Sequence, residues 1–250
     1  MGTLVFDIET VGEEWSHMDE VTQRVLTRWI DRSNHTESAR EALLIDVKEG
    51  LGFSPLTGRI VAMGMYDVER ARGVVFYDAE GNDVEDTDDG EYTYKPRTEA
   101  VMLRDFWEGA KLYDTFVTFN GRCFDAPFIA TRSVVYGITP TRDLMSGRYL
   151  SQQHTARHID LQDQLSFYGA VHRKQPLHMY CRAFGIASPK AHGISGDDVT
   201  RLFNEGKYLD IAKYNALDVT ATTELYERWR AHLSSESRSE SDTRDIQLYD

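Results

Sequence analysis

Residues 4–10 read Leu-Val-Phe-Asp-Ile-Glu-Thr, and the pair Asp7 and Glu9 is the first place where residue type and spacing could do chemistry. The alternation predicts a strand, with Leu4, Phe6 and Ile8 on one face and Val5, Asp7 and Glu9 on the other. Two residues of strand rise place the carboxylates about 7 Å apart and pointing the same way. Like charges held so close repel unless a cation lies between them, and a hard divalent ion such as Mg²⁺ prefers oxygen ligands. The pair alone fits a half-exposed edge strand with two solvated acids equally well, so its meaning depends on where the other acids lie.

Two further motifs carry acids. Residues 119–129 read Phe-Asn-Gly-Arg-Cys-Phe-Asp-Ala-Pro-Phe-Ile, so Asp125 opens a helix just after a strand. An α/β sheet presents functional groups at the carboxyl ends of its strands. A helix-opening acid is also favoured by the helix dipole alone. Residues 214–218 read Tyr-Asn-Ala-Leu-Asp, and the four-residue spacing puts Tyr214 and Asp218 on one face of a helix. An amphipathic helix with a solvated acid would show the same spacing.

The elements that must position these groups follow from periodicity. At 250 residues, the chain is long enough for one large domain with a full core. After the first strand, residues 11–58 form an interruption in which Trp15, Met18, Val21, Val25 and Trp29 recur at helical spacing. A second helical stretch, 39–47, ends at Gly50, Gly52 and Pro55. This is expected to be a helical insertion that either shields the site or packs on the sheet. Strands are predicted at 59–67, 73–78, 115–119 and 158–161. Helices are predicted at 98–112 with Thr98 as N-cap, at 125–136, 163–168, 177–184 and 198–204, and at 208–233. The acidic stretch 78–92 lacks calcium-loop spacing and reads as a solvated loop. Residues 234–245 are serine and charge, which predicts a disordered tail, so the domain is expected to span residues 1–233. The last five residues, Ile-Gln-Leu-Tyr-Asp, read as a frayed end before a protein-binding peptide.

In order along the chain, Phe6-Asp7-Ile8-Glu9-Thr10, Asn120 to Asp125, and Tyr214-x-x-x-Asp218 resemble the three motifs of the DEDDy group of 3′–5′ exonucleases. The middle and later parts, through His158-Ile159-Asp160-Leu161 and residues 193–218, are similar to predicted exonucleases related to the exonuclease domain of family-B DNA polymerases. Each motif alone is common; three in order at domain-scale spacing are specific. The resemblance covers residues 3–230, with residues 11–58 longer than the family pattern. It implies an RNase H-like α/β fold, a mixed central sheet flanked by helices. It also implies two divalent ions, Mg²⁺ or Mn²⁺, held by Asp7, Glu9, Asp125 and Asp218. Tyr214 would position the attacking water. Asn120 and the backbone at Thr10 would help place the terminal nucleotide, and Lys190, in a Gly-rich loop, reads either as a phosphate contact or as a plain surface lysine. No polymerase motif accompanies them, so proofreading in cis is not expected.

The implied partner is single-stranded nucleic acid, DNA before RNA. An exoribonuclease using the same five residues and a non-catalytic binding module on the same fold are the competing readings. The net charge of −13 excludes a simple nucleic-acid coat protein. Residues 130–194 nevertheless carry eight Lys and Arg against three acids, a basic island that either steers a polyanion or lies scattered over a helical surface. No segment is long and apolar enough for a membrane span and no secretion signal is visible, so a cytoplasmic location without membrane contact is expected. The two cysteines, Cys123 and Cys181, have no metal-ligand spacing; a reduced compartment fits them, and one disulfide stays open.

Overall fold

The computed structural model describes residues 2–31, 36–82, 84–189 and 196–234. Seven strands form one mixed sheet: β1 (Thr3–Gly12), β2 (Gly58–Asp67), β3 (Arg72–Tyr77), β4 (Thr87–Asp88), β5 (Tyr92–Pro96), β6 (Thr115–Thr118) and β7 (Arg157–Asp160), in the spatial order β4-β5-β3-β2-β1-β6-β7. β1 runs antiparallel to β2 and parallel to β6, and β7 is parallel to β6. β1 is therefore a central strand and not an edge. Leu4, Phe6 and Ile8 are buried on one face, and Val5 is fully buried on the other.

Helices cover both faces. α3 (Glu99–Ala110) and α4 (Asp125–Val135) pack with Leu4, Phe6 and Ile8 in one core. The other core lies beneath α5 (Leu161–Leu165), α6 (Leu177–Phe184), α7 (Val199–Asn204) and α8 (Tyr208–His232). α8 lies across β1, β2 and β3 on the face to which Asp7 and Glu9 point. Its Ile211, Val219 and Leu225 are almost completely buried there.

Between β1 and β2 the chain builds α1 (Glu20–Asp31) and α2 (Glu37–Glu49). Asp19 starts α1 by accepting the N–H groups of Val21 and Thr22 at 2.9 and 3.0 Å. A 3₁₀ turn, Gly50–Phe53, then returns the chain to the end of β1. The approach is so close that a Cβ at Gly12 would lie 2.7 Å from the Cβ of Leu51. Thr10 Oγ1 and Thr57 Oγ1 donate to the carbonyls of Gly52 and Leu51 at 2.7 and 2.8 Å, which fixes the turn to the sheet.

One expectation needs correction. The acidic stretch is not only a solvated loop: it contains β4 and leads into β5, and Asp89 accepts the N–H of Tyr92 and the hydroxyl of Tyr94 at 2.7 Å each. Thr98 occupies the N-cap of α3 without a side-chain capping bond. The cysteines are free thiols, Cys123 exposed and Cys181 buried. The tail from residue 235 onward and Lys190 lie outside the described residues. Among the described residues, no helix is long and apolar enough to cross a membrane.

Candidate active site

Carboxylate oxygens of Asp7, Glu9 and Asp218 lie within 4.8 Å of one another. β1 supplies two of them and α8 the third, across more than two hundred residues of sequence. Asp125 stands beside this triad as the first residue of α4. It is buried, and its Oδ1 accepts the backbone N–H of Ile8 at 3.0 Å, so α4 is locked to β1 between the two strand acids. A bulge near Glu9 adjusts the strand locally: Glu9 pairs with Ala62 and Thr10 with Ile60, leaving Val61 as the extra residue in β2.

Burial is the main force on these acids. It pushes the carboxyls of Asp7 and Glu9 well above the usual carboxylate range, and the charges of Asp125 and Asp218 push them further. Burial raises Asp125 to about 7, with the Ile8 N–H pulling the other way. Tyr214 sits one helical turn before Asp218 and hydrogen-bonds to it; burial first, then the Asp218 and Glu9 charges, push its phenol far up, so it stays protonated and acts as a donor.

Asn215 is a site residue to which the sequence motif assigned no role. It is fully buried, its Nδ2 donates to Asp7 Oδ2 at 2.9 Å, and its amide also hydrogen-bonds to Glu9. It is thus a neutral donor wedged between two strand acids. Its Oδ1 is buried without a hydrogen-bond partner among the described residues. The space for it comes from Gly64, which pairs with Asp7 across β1 and β2; a Cβ there would lie 2.3 Å from Asn215 Oδ1 and 2.9 Å from Val219 Cγ2. Gly64→Ala should therefore force α8 off the sheet. Overpacking of this kind costs roughly 1–3 kcal/mol, and about 2–4 °C of Tm is lost per kcal/mol in a chain of this size. A thermal melt checks this, and adding Asn215→Ala should recover part of the loss, because one of the two colliding groups is gone.

Asp7, Glu9 and Asp218 open into a cleft of about 250 Å³ lined also by Thr10, Phe53, Phe119, Phe124 and Leu177. Phe53 comes from the 3₁₀ turn after α2, is 66% exposed and meets Phe124 edge-to-face at 6.5 Å. A larger groove of about 1400 Å³ shares Thr10, Phe53 and Gly196 with this cleft and runs along the inner side of α2 to Arg59 and Arg201. Asn120 follows β6 in a left-handed conformation (φ 63°), its N–H held by Asp160 Oδ1 at 2.9 Å. Asp160 also takes the N–H of Arg122 at 3.0 Å and caps α5, so it fixes the loop that delivers Asp125.

Residues 59–248 match the family described as predicted 3′–5′ exonucleases related to the exonuclease domain of PolB. The chain belongs to that family. Among solved structures, this member of the family is similar to the family B DNA polymerase from the hyperthermophilic archaeon Pyrobaculum calidifontis. The TM-score is 0.52 and the identity 17%, over 91% of this chain and 24% of the polymerase. At that identity the likeness shows the fold, the RNase H-like sheet and helices of a polymerase exonuclease domain, while the chain spans only a small part of the polymerase's length. No curated protein matches the sequence. The family match begins at β2, so α1 and α2 lie outside it and the β1 acids precede it.

Proposed function

We propose that this member of the PolB-related exonuclease family is a metal-dependent 3′–5′ exonuclease. It releases nucleotides from the 3′ end of single-stranded DNA, with residues 1–233 as the catalytic unit. The observation that carries the reading is the convergence of Asp7, Glu9 and Asp218 within 4.8 Å, with Asp125 beside them, at one end of the central sheet. The donor set fits hard divalent ions. It is all oxygen, and it carries about −4 when ionised. Mg²⁺ or Mn²⁺ are the ions such ligands select.

Asp7, Glu9, Asp125 and Asp218 would hold two such ions. Bound there, divalent ions supply positive charge at the attacking and leaving oxygens of a phosphodiester and lower the pKa of a bound water. The chain's own residues do the rest. Asn215 fixes the directions of Asp7 and Glu9. Tyr214 offers a protonated hydroxyl to Asp218 and to the water that attacks phosphorus. Phe53, Phe119 and Phe124 wall the cleft with apolar surface against which an unpaired terminal base can lie. Thr10, on the cleft wall, and Asn120, at the end of β6, border the terminal nucleotide, with Lys190 as a phosphate contact. Hydrolysis breaks the bond from phosphorus to the 3′-oxygen and forms one to the water oxygen. A nucleoside 5′-monophosphate leaves, and the shortened strand keeps a 3′-hydroxyl.

A 5′-labelled single-stranded DNA should give a descending ladder with Mg²⁺ or Mn²⁺ and none with a chelator, and a 3′-blocked strand should resist. Cleavage of a closed circular single strand would overturn the exonuclease reading. Faster degradation of matched RNA would make the chain an exoribonuclease.

A further inference from the structure

Three consecutive residues after α5, Phe167, Tyr168 and Gly169, have positive φ angles of 51°, 55° and 95°. Glycine adopts this left-handed region freely; bulky aromatic residues rarely do, and the strain persists only where the surroundings enforce it. Hydrogen bonds from Gly169 N and Val171 N to Ser166 O, at 3.1 and 3.0 Å, close the turn. Its product is an outward ring: Phe167 is 59% exposed, so burial does not repay the strain. Tyr168 lies 4.7 Å from the half-exposed Tyr149, centroid to centroid, and its hydroxyl accepts from Gln164 Nε2 at 2.7 Å. The two tyrosines thus form a fixed base beside the protruding phenylalanine.

The charge around these rings departs from the rest of this acidic chain. In residues 130–189 the acids are Asp143, Asp160 and Asp163; the last two are buried, so Asp143 is the one exposed acid of that described segment. Arg148, Arg173, Lys174 and Arg182 are all exposed there. The segment adjoins the acid cleft at two points. Lys174 Nζ is 3.9 Å from Sγ of Cys123, two residues before Asp125, and Tyr180 of α6 packs edge-on to Phe119 of the cleft wall at 5.8 Å.

We propose that Phe167, Tyr168 and Tyr149, flanked by Arg173 and Lys174, form a stacking platform for unpaired bases of a single strand whose 3′ end lies in the acid cleft. Exposed rings offer a π-face to any base, and cations beside them follow the phosphates; that combination is how single strands are held without regard to sequence. A duplex keeps its bases stacked on one another and cannot use the rings. The direction of the strand rests on the exonuclease reading; the binding of unpaired bases does not.

Phe167→Gly tests this, because glycine suits the left-handed turn while removing the ring. The Tm should hold or rise. In chelator-containing buffer, the affinity of the full chain for a fluorescein-labelled 15-nucleotide oligothymidine, followed by anisotropy, should fall about 10-fold, as loss of one base–aromatic stack does. Affinity for a duplex of equal length should stay the same. Tyr149→Ala should show the same selective loss, should the glycine variant fail to fold. Unchanged oligothymidine affinity would overturn the platform, as would an equal loss for single strand and duplex. If the wild-type chain degrades no strand yet the selective loss is seen, the exonuclease reading fails and the platform stands.

Discussion

Asp7→Asn and Asp218→Asn should each abolish exonuclease activity while making the ion-free protein more stable. Both changes keep the shape of the side chain: Asn215 can still donate to the oxygen at position 7, and Tyr214 to the one at position 218. What goes is one negative charge from a crowded group of four. Loss of a ligand carboxylate should lower turnover by roughly 10³-fold or more, since the charge that stabilises the attacking and leaving oxygens is no longer held in place. The stability effect has the opposite sign. Asp7, Glu9 and Asp125 all have carboxyls raised in the folded state, chiefly by burial. Raised acids favour folding while they are protonated, and that contribution is complete below the unfolded value near 4. For Asp125 it is lost as pH rises through about 7. Burial holds His158 down to about 4 from its ordinary 6.5, which works the other way below pH 6.5. The Tm of the chelated wild type should therefore fall between about pH 6.5 and about pH 8, and Mg²⁺ or Mn²⁺ should restore it at the upper end. Acids held low by hydrogen bonds, such as Asp88 and Asp89, act below pH 4 and leave this window clear. The Asn variants should show a shallower fall, by about 2–4 °C for each kcal/mol of repulsion removed. Calorimetry of the chelated proteins across this range checks the sign. A Tm at pH 8 equal to that at pH 6.5, in wild type and variants alike, would mean that the acids are well solvated and not a charged site awaiting a cation.

The parts of this site written in local pattern were legible in the sequence. The alternation around Asp7 and Glu9 gave the strand and its two faces. The four-residue spacing of Tyr214 and Asp218 gave their shared helix face, on which the two side chains hydrogen-bond. What stayed hidden depends on pairing between distant segments. β1 read equally well as an edge strand, because strand order is decided by β2 and β6 and not by residues 4–10. Asn215 lay in plain view within the motif. Its role appears only when α8 is laid over β1 and β2 in a register set by Gly64, about 150 residues away. β5 was missed at the end of the acidic stretch because its two apolar positions are tyrosines. Their burial comes from long-range packing, with the Tyr92 hydroxyl 2.9 Å from Thr220 of α8. The turn at Phe167 was illegible for a different reason: propensity argues against aromatic residues in left-handed backbone, so a pattern reading extends the preceding helix through them.

Tyr214→Phe separates positioning of the attacking water from the holding of ions. The ring is almost fully buried in the helix interface and stays in place, so packing is kept. The loss is one hydroxyl and its hydrogen bond to Asp218. A single hydrogen bond contributes about 1 kcal/mol net, so Tm should drop by no more than about 2–4 °C. All four carboxylates remain, so the divalent-ion concentration that gives half-maximal activity should scarcely move. Turnover should fall by roughly 10²-fold, the lower end of what a positioned donor or acid–base group contributes. An ion-activated water is still a competent nucleophile without its orienting partner. The loss should appear in kcat with KM retained, as for a contact made mainly in the transition state. The pH profile adds a second readout. Burial and the neighbouring carboxylates keep the phenol protonated, so it does not titrate in the working range. The variant should run parallel to wild type, displaced downward at every pH. A hydroxyl acting as a base would instead give a loss that grows with pH. Wild-type turnover in single-turnover measurements would leave Tyr214 as a packing residue and the carboxylates as the whole of the catalytic apparatus.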